Sequence, residues 1–338
     1  MKKFRYFIVT LILLPLFSAC IEDVPVYNNT YRDNFDALWK IIDTKYCFLD
    51  EKGINWDSVY QVYEQRLGTD TVSEIRFFDA MAEMLAVLKD GHVNLYSAFD
   101  RSRYWKWFTD YPANFSLSLV QGERYLGKKH RSVNGLRYQR IAGGKVGYIY
   151  YSSFGDDFSD QNFRYIIQYF AECKGIIIDV RNNGGGSAEM SNKLASYFFD
   201  RDTVSLYMKH KTGPRHTDFS EPIPLKTNAS KGTKWSNPVV VLANRSSYSA
   251  TNMFVCRMKD CPRATIIGDR SGGGGGIPMS SEMPNGWMVR FSASPMFNGQ
   301  MQSIEYGIDP DVFVSLDAED AARGIDTLIE YAVQLLDP

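Results

Sequence analysis

Between residues 35 and 88 the apolar positions recur at helical spacing. Phe35, Leu38, Trp39 and Ile42 fit one face, and Phe77, Met81, Met84, Leu85 and Leu88 another. Asn55-Trp56-Asp57 interrupts the pattern, so the stretch predicts a small helical domain over residues 34–93. From 94 to 144 the pattern is mixed and turn-rich. It predicts a small β-rich segment, with Trp105, Trp107 and Phe108 clustered in one of its loops. From Lys145 to the end, strands and helices alternate. Val146–Tyr151, 175–180, 239–242 and 265–268 read as strands, and 158–173, 188–199 and 249–259 as helices. The run Gly175-Ile176-Ile177-Ile178 is continuously apolar, as a strand covered on both faces must be. Such alternation predicts an α/β domain over 145–338, with a partly parallel sheet and right-handed crossovers. Pro284-Asn285-Gly286 signals a hairpin turn, and residues 318–336 a last helix.

The first residues change this picture, because they do not belong to the fold. Lys2, Lys3 and Arg5 precede an apolar run at 7–16 that is too short to span a bilayer. Leu16-Phe17-Ser18-Ala19-Cys20 follows, with small residues just before a cysteine, as at a bacterial lipoprotein cleavage site. Residues 1–19 then form a signal peptide, Cys20 carries the lipid anchor, and the polar stretch 20–33 is a tether. The bulk of Phe17 keeps a plain secretory signal as the alternative. The predicted location is the bacterial cell envelope, the chain exported and lipid-anchored to the outer membrane on its periplasmic or surface face. The 338 residues have room for about two domains. A net charge of −1 gives no electrostatic reason to expect a nucleic acid partner. Export permits disulfides; Cys256 and Cys261 either bridge or stay as buried thiols. No cysteine or histidine spacing suggests a metal site.

Three segments carry candidate chemistry. Ser249 lies between a buried strand and the start of a helix, where free N–H groups and positive potential favour a developing oxyanion. The simpler role for it is an N-cap. A serine nucleophile needs a base. Of the four histidines, His130, His210 and His216 lie among lysines and arginines and read as solvated. His92 stands instead at a helix end, after Gly91, whose expected role is a left-handed stop. Its ordinary role would be to interact with the helix C-terminus. Finally, Asp179-Val180-Arg181-Asn182-Asn183-Gly184-Gly185-Gly186 follows a buried strand. Its glycines suit close backbone approach to a ligand, or merely a tight turn.

In this order the segments resemble one family. Leu88-Lys89-Asp90-Gly91-His92-Val93 resembles the histidine motif of the tail-specific (C-terminal processing) proteases and the tricorn core protease. Residues 178–186 are similar to their Asp-x-Arg-x-Asn-x-Gly-Gly motif. Residues 240–251 resemble their nucleophile segment, and Gly268-Asp269-Arg270-Ser271-Gly272-Gly273 the stretch downstream of it. The resemblance spans residues 35–315. It implies a crotonase- and Clp-protease-like α/β catalytic domain, behind a helical N-terminal domain. The best-known branch uses a Ser–Lys dyad; here the lysine position falls on Gly274, and no lysine follows Lys259. The tricorn-like branch uses Ser and His with a downstream glutamate. That resemblance implies Ser249 as nucleophile, His92 as base and Glu305 as the supporting acid, with the oxyanion on the N–H groups of Gly185 and Ala250. Only about fifty residues separate Val93 from Lys145, too few for a full PDZ module, so none is expected. The expected activity is serine endopeptidase hydrolysis of envelope peptides or unfolded protein segments, with no cofactor. The alternatives are an inactive lipid-anchored binding protein of the same fold and an esterase using the same triad.

Overall fold

The computed structural model describes residues 29–68 and 72–338. The signal peptide, Cys20 and most of the expected tether lie outside the described residues. Three helices come first: α1 (Tyr31–Lys45), α2 (Trp56–Leu67) and α3 (Glu74–Ala86). Each opens on a side-chain cap, from Thr30, Asn55 and Ser73. The Thr30 cap starts α1 inside the stretch expected to be tether. Strand β1 (Asn94–Tyr96), two short helices α4 (Lys106–Thr109) and α5 (Leu117–Gln121), and strands β2 (Arg131–Val133) and β3 (Leu136–Ile141) follow. The middle segment is therefore not a separate β-rich unit. Its β2–β3 hairpin extends the main sheet, while β1 joins a second sheet.

The α/β region runs β4 (Val146–Tyr151), α6 (Asp160–Tyr169), β5 (Gly175–Asp179), α7 (Ala188–Ser196), β6 (Thr203–Met208), β7 (Ile223–Thr227), β8 (Val239–Ala243), α8 (Ala250–Lys259) and β9 (Ala264–Gly268). It ends with β10 (Gly276–Glu282), β11 (Met288–Asn298), β12 (Val312–Phe313), α9 (Ala318–Ala322) and α10 (Thr327–Leu336). The main sheet has the order β12-β9-β8-β5-β4-β3-β2, parallel from β12 to β4 and antiparallel beyond. Every residue of β4, β5 and β8 is buried, as their apolar runs require. One face is covered by α6, α7 and α8, the other by α10 and the α5 region.

The second sheet, β1-β11-β6-β7 with β10 also on β11, does what the sequence pattern did not suggest. Met283, Trp287, Val289, Phe291 and Ala293 from the β10–β11 hairpin complete the core formed by α1 to α3. The helical part consequently does not close on itself. Its apolar face is buried by strands from more than 190 residues away, and this docking brings His92 to the α/β region.

Candidate active site

Ser249 is the residue before α8, and its backbone is left-handed at φ 58° and ψ −117°. For a residue with a Cβ this geometry is strained, costing about 1–3 kcal/mol. The turn is held from both sides. Tyr248 N–H donates to Asn183 O at 3.1 Å, Ser249 N–H to Gly273 O at 2.8 Å, and Ser247 Oγ to Val180 O at 2.8 Å. Ser249 makes no side-chain capping bond, so the N-cap role is ruled out. Its Oγ lies 3.0 Å from His92 Nε2.

His92 reaches that position by a corner different from the expected one. The left-handed residue after α3 is Lys89, at φ 47°, and not Gly91. Gly91 is glycine for space: a Cβ there would lie 2.6 Å from Trp107 Nε1 and 2.9 Å from Tyr248 Oη. The His92 N–H donates to Asp90 Oδ1 at 2.8 Å, and the imidazole lies 4.9 Å from the Tyr248 ring, centroid to centroid. Tyr248 in turn stacks on Trp107 at 4.1 Å. Burial pushes the imidazole pKa down to about 4. Arg290 and Lys52 push the same way, against the pull of Asp90 and the Gly276 carbonyl. A neutral imidazole beside a serine hydroxyl can accept its proton.

Glu305 is close by but is not brought onto His92. Its Oε1 lies 2.7 Å from Lys52 Nζ and its Oε2 accepts the Gly275 N–H at 2.9 Å, while among the described residues no group meets hydrogen-bond geometry at His92 Nδ1. The direct acid–histidine contact of a triad is therefore absent, because the Lys52 ammonium holds the carboxylate. Lys52 Nζ also lies 3.9 Å from Asp90 Oδ2 and donates to Leu88 O at 3.2 Å. Asp90 Oδ2 accepts from Ser292 Oγ at 2.8 Å and Tyr46 Oη at 3.1 Å. Burial and the Asp90 anion push the Glu305 pKa up to about 8, against the pull of Lys52 and the Gly275 N–H. Burial also opposes the charges of Asp90 and Lys52. Their mutual attraction prevails, so Asp90 stays below the usual carboxylate range and Lys52 above the usual ammonium range.

The two expected oxyanion donors differ. The Ala250 N–H donates to no acceptor among the described residues, but the Gly185 N–H is given to Asn183 Oδ1 at 3.0 Å. Gly185 does adjoin Ser249: at φ 101°, a Cβ there would lie 2.9 Å from Ser249 Cβ and 3.0 Å from Ala250 N. The downstream glycine loop packs with similar tightness. A Cβ on Gly274 would fall 2.4 Å from the Tyr248 ring, so Tyr248 fills the space beside the position where the other branch has its lysine. Cys256 and Cys261 are both free and buried, not bridged.

A serine in a strained strand-to-helix turn, a neutral buried histidine on its hydroxyl and a free N–H at the helix start define the site of a serine hydrolase on a crossover sheet. The chain belongs to peptidase family S41, whose profile matches residues 145–314; the tricorn protease C1 domain matches residues 27–86. It is similar to the crystal structure of a candidate peptidase from Parabacteroides merdae, at 47% identity and a TM-score of 0.87 over 92% of this chain and 98% of that one. The fold is shared with the tricorn protease, at 14% identity and a TM-score of 0.56 over 90% of this chain and 36% of that chain. A CtpA-like serine protease of Staphylococcus saprophyticus is 28% identical over 184 residues, which are 53% of this chain and 35% of that protein. The match thus spans about a third of that relative's length. The α/β fold class with N-terminal helices agrees with these relatives. Among the described residues, no helix is long and apolar enough to cross a membrane, and no group of side chains is arranged to hold a metal ion.

Sequence reasoning missed Lys52, Asp90 as a buried anion, and Tyr248. Asp50-Glu51-Lys52-Gly53 reads as a charged turn, and nothing local distinguishes it from a solvated one. Asp90 offered a faint signal, as the acid two residues before the candidate base.

Proposed function

We propose that the protein is a serine endopeptidase that hydrolyses peptide bonds through an acyl-enzyme on Ser249. The observation that carries this reading is the 3.0 Å contact between Ser249 Oγ and His92 Nε2, made by a serine with no capping duty. In the proposed course, Ser249 Oγ attacks the scissile carbonyl as its proton passes to His92 Nε2. The imidazolium then returns that proton to the leaving amine. Water enters by the same route in reverse and frees the acyl group. The oxyanion forms against the open Ala250 N–H. For Gly185 to serve as the second donor, the oxyanion must compete with Asn183 Oδ1 for its N–H. Glu305 and Asp90 act at one remove, by holding the glycine loop and the His92 backbone.

The substrates in this reading are peptides or unfolded protein segments of the cell envelope. Export and anchoring through a lipid on Cys20 are supported by the basic start, the short apolar run and Ser18-Ala19-Cys20. Loss of metabolic lipid labelling in Cys20→Ala tests the anchor. For the chemistry, a fluorophosphonate probe is applied to the chain from Glu22 onward, beside Ser249→Ala and His92→Ala. Labelling that disappears in Ser249→Ala, followed by cleavage of peptides in preference to simple esters, is the expected result. A folded parent that is never labelled removes the proposal.

A further inference from the structure

The Ser249–His92 contact joins two segments that are gripped by different acidic side chains. Asp90 holds the His92 N–H. Glu305 holds the loop behind the nucleophile: its Oε2 accepts the Gly275 N–H and its backbone O accepts the Gly274 N–H at 3.1 Å, next to Gly273, whose carbonyl receives the Ser249 N–H. Between the two carboxylates stands one ammonium, Lys52 Nζ, 2.7 Å from Glu305 and 3.9 Å from Asp90. Lys52 comes from the connection between α1 and α2, and its side chain is only 8% exposed. A lysine buried to this degree is expensive unless it is paired. The location is specific too, because Tyr46 and Phe48 flank the ammonium and the Leu88 carbonyl takes a second hydrogen bond.

We propose that Lys52 is a positioning residue of the Ser249–His92 pair. Its ammonium ties the histidine corner to the glycine loop behind the serine, and sets the charge that His92 experiences. This inference rests on the proposed serine chemistry. Without the ammonium nothing would tie the Asp90 corner to the Glu305 loop, and the His92–Ser249 distance would open. Its loss would also leave the Asp90 anion uncompensated beneath the imidazole, which favours protonation of the imidazole. The groups facing His92 are Asp90 on its own turn, Lys52 from the α1–α2 connection, Arg290 from β11, the Gly276 carbonyl from β10 and Tyr248 from the elbow.

The structure also supplies a means of testing the charge apart from the packing. Lys52, Glu305, Tyr104, Trp107 and Tyr306 line a cavity of about 620 Å³, large enough to admit a small amine. The rate of fluorophosphonate labelling of Ser249 is measured against pH for the parent and Lys52→Ala, with propylammonium or propanol added. Lys52→Ala is expected to label on the order of 100-fold more slowly, the loss that a displaced catalytic group brings. Its acid limb moves to higher pH, and propylammonium, but not propanol, restores rate and limb in a saturable way. An unchanged rate and pH profile overturns the proposal. So does a slower rate with an unmoved acid limb and no preference for the amine, which is the behaviour of a merely structural residue. If Lys52→Ala does not fold, Lys52→Arg takes its place. The retained charge must keep the limb at the parent's pH, and a shift of a full unit overturns the proposal. A parent that is not labelled at all removes the serine chemistry and this inference with it. A labelled parent beside an indifferent Lys52→Ala removes this inference alone.

Discussion

Ser249 and His92 stand 157 positions apart in the chain, yet their side chains meet, and they are held by contrasting means. Ser249 sits where strand β8 turns into helix α8, braced by backbone hydrogen bonds from two glycine-rich loops. Its conformation follows from the main chain of a single crossover unit. His92 sits in an irregular corner after α3, and what fixes it is a buried set of ionisable groups: Asp90, Lys52 and Glu305, contributed by three distant segments. A main-chain cradle sets position and stores strain. A charge cluster sets position and proton affinity together, and should be the more sensitive of the two to pH and to a change of one side chain.

The largest expected effect tests the cradle. Ser249→Ala and Ser249→Gly should each lower acylation by on the order of 10⁴-fold or more. Stability should separate them. Both lose the hydroxyl, but only glycine relaxes the φ of 58°, so Ser249→Gly should be more stable than Ser249→Ala by about 1 kcal/mol in urea denaturation. Equal stabilities would mean that the turn is not strained, and the contrast between the two halves of the site would lose its first term.

A smaller effect tests the corner. A Cβ at Gly91 meets Tyr248, which packs on His92, and Trp107, which stacks on Tyr248, whereas one at Gly184 meets nothing within 4 Å. Gly91→Ala is expected to cost about 1–3 kcal/mol through overpacking. It should also slow labelling by on the order of 100-fold, as His92 is pushed from Ser249. Gly184→Ala should change stability by no more than about 0.5 kcal/mol. A Gly91→Ala variant that folds and labels like the parent would show that the corner yields as readily as a loop.

The same contrast explains what could be read from the chain. Strands β4, β5 and β8 are covered on both faces, so their apolar runs stand out, and the serine at the end of one of them could be singled out. Strand β6 is only partly buried and β7 carries exposed positions, and the second sheet they help to form was not visible. The last helix was expected to be continuous, but Gly324 at φ 76° divides it into α9 and α10. The mixed pattern of 94–144 hid two short helices among strands that belong to two different sheets. At the site, the glycine loops and the serine were marked by local composition. The environment of His92 was not, since Lys52 meets Glu305 across 253 positions and neither looks unusual beside its sequence neighbours. Resemblance pointed to Glu305 as a participant, but only the tertiary structure shows that its carboxyl is paired with a lysine.

The smallest effect, and the one that sharpens the contrast most, is a dependence of stability on pH. His92 titrates near pH 4 when folded against an ordinary 6.5. The stability linked to it is therefore present above pH 6.5 and lost as pH falls through about 4. Glu305 has the opposite sign. Its pKa rises from 4.5 to about 8 on folding, so its contribution is full below pH 4.5 and lost as pH rises through about 8. Replacing Glu305 by Gln removes only the second titration. The replacement also sets an amide donor against the Gly275 N–H, which lowers stability by a roughly pH-independent amount. The informative quantity is thus the difference in Tm between Glu305→Gln and the parent, followed from pH 5 to pH 9. It should move in favour of the variant as pH rises from 5, and level off above about pH 8. Ser249→Ala, measured over the same range, should track the parent, because the main-chain cradle has no charge to titrate. A flat difference for Glu305→Gln would place the carboxylate in the ionised state throughout, fully compensated by Lys52. The charge cluster would then serve, like the cradle, only to fix position.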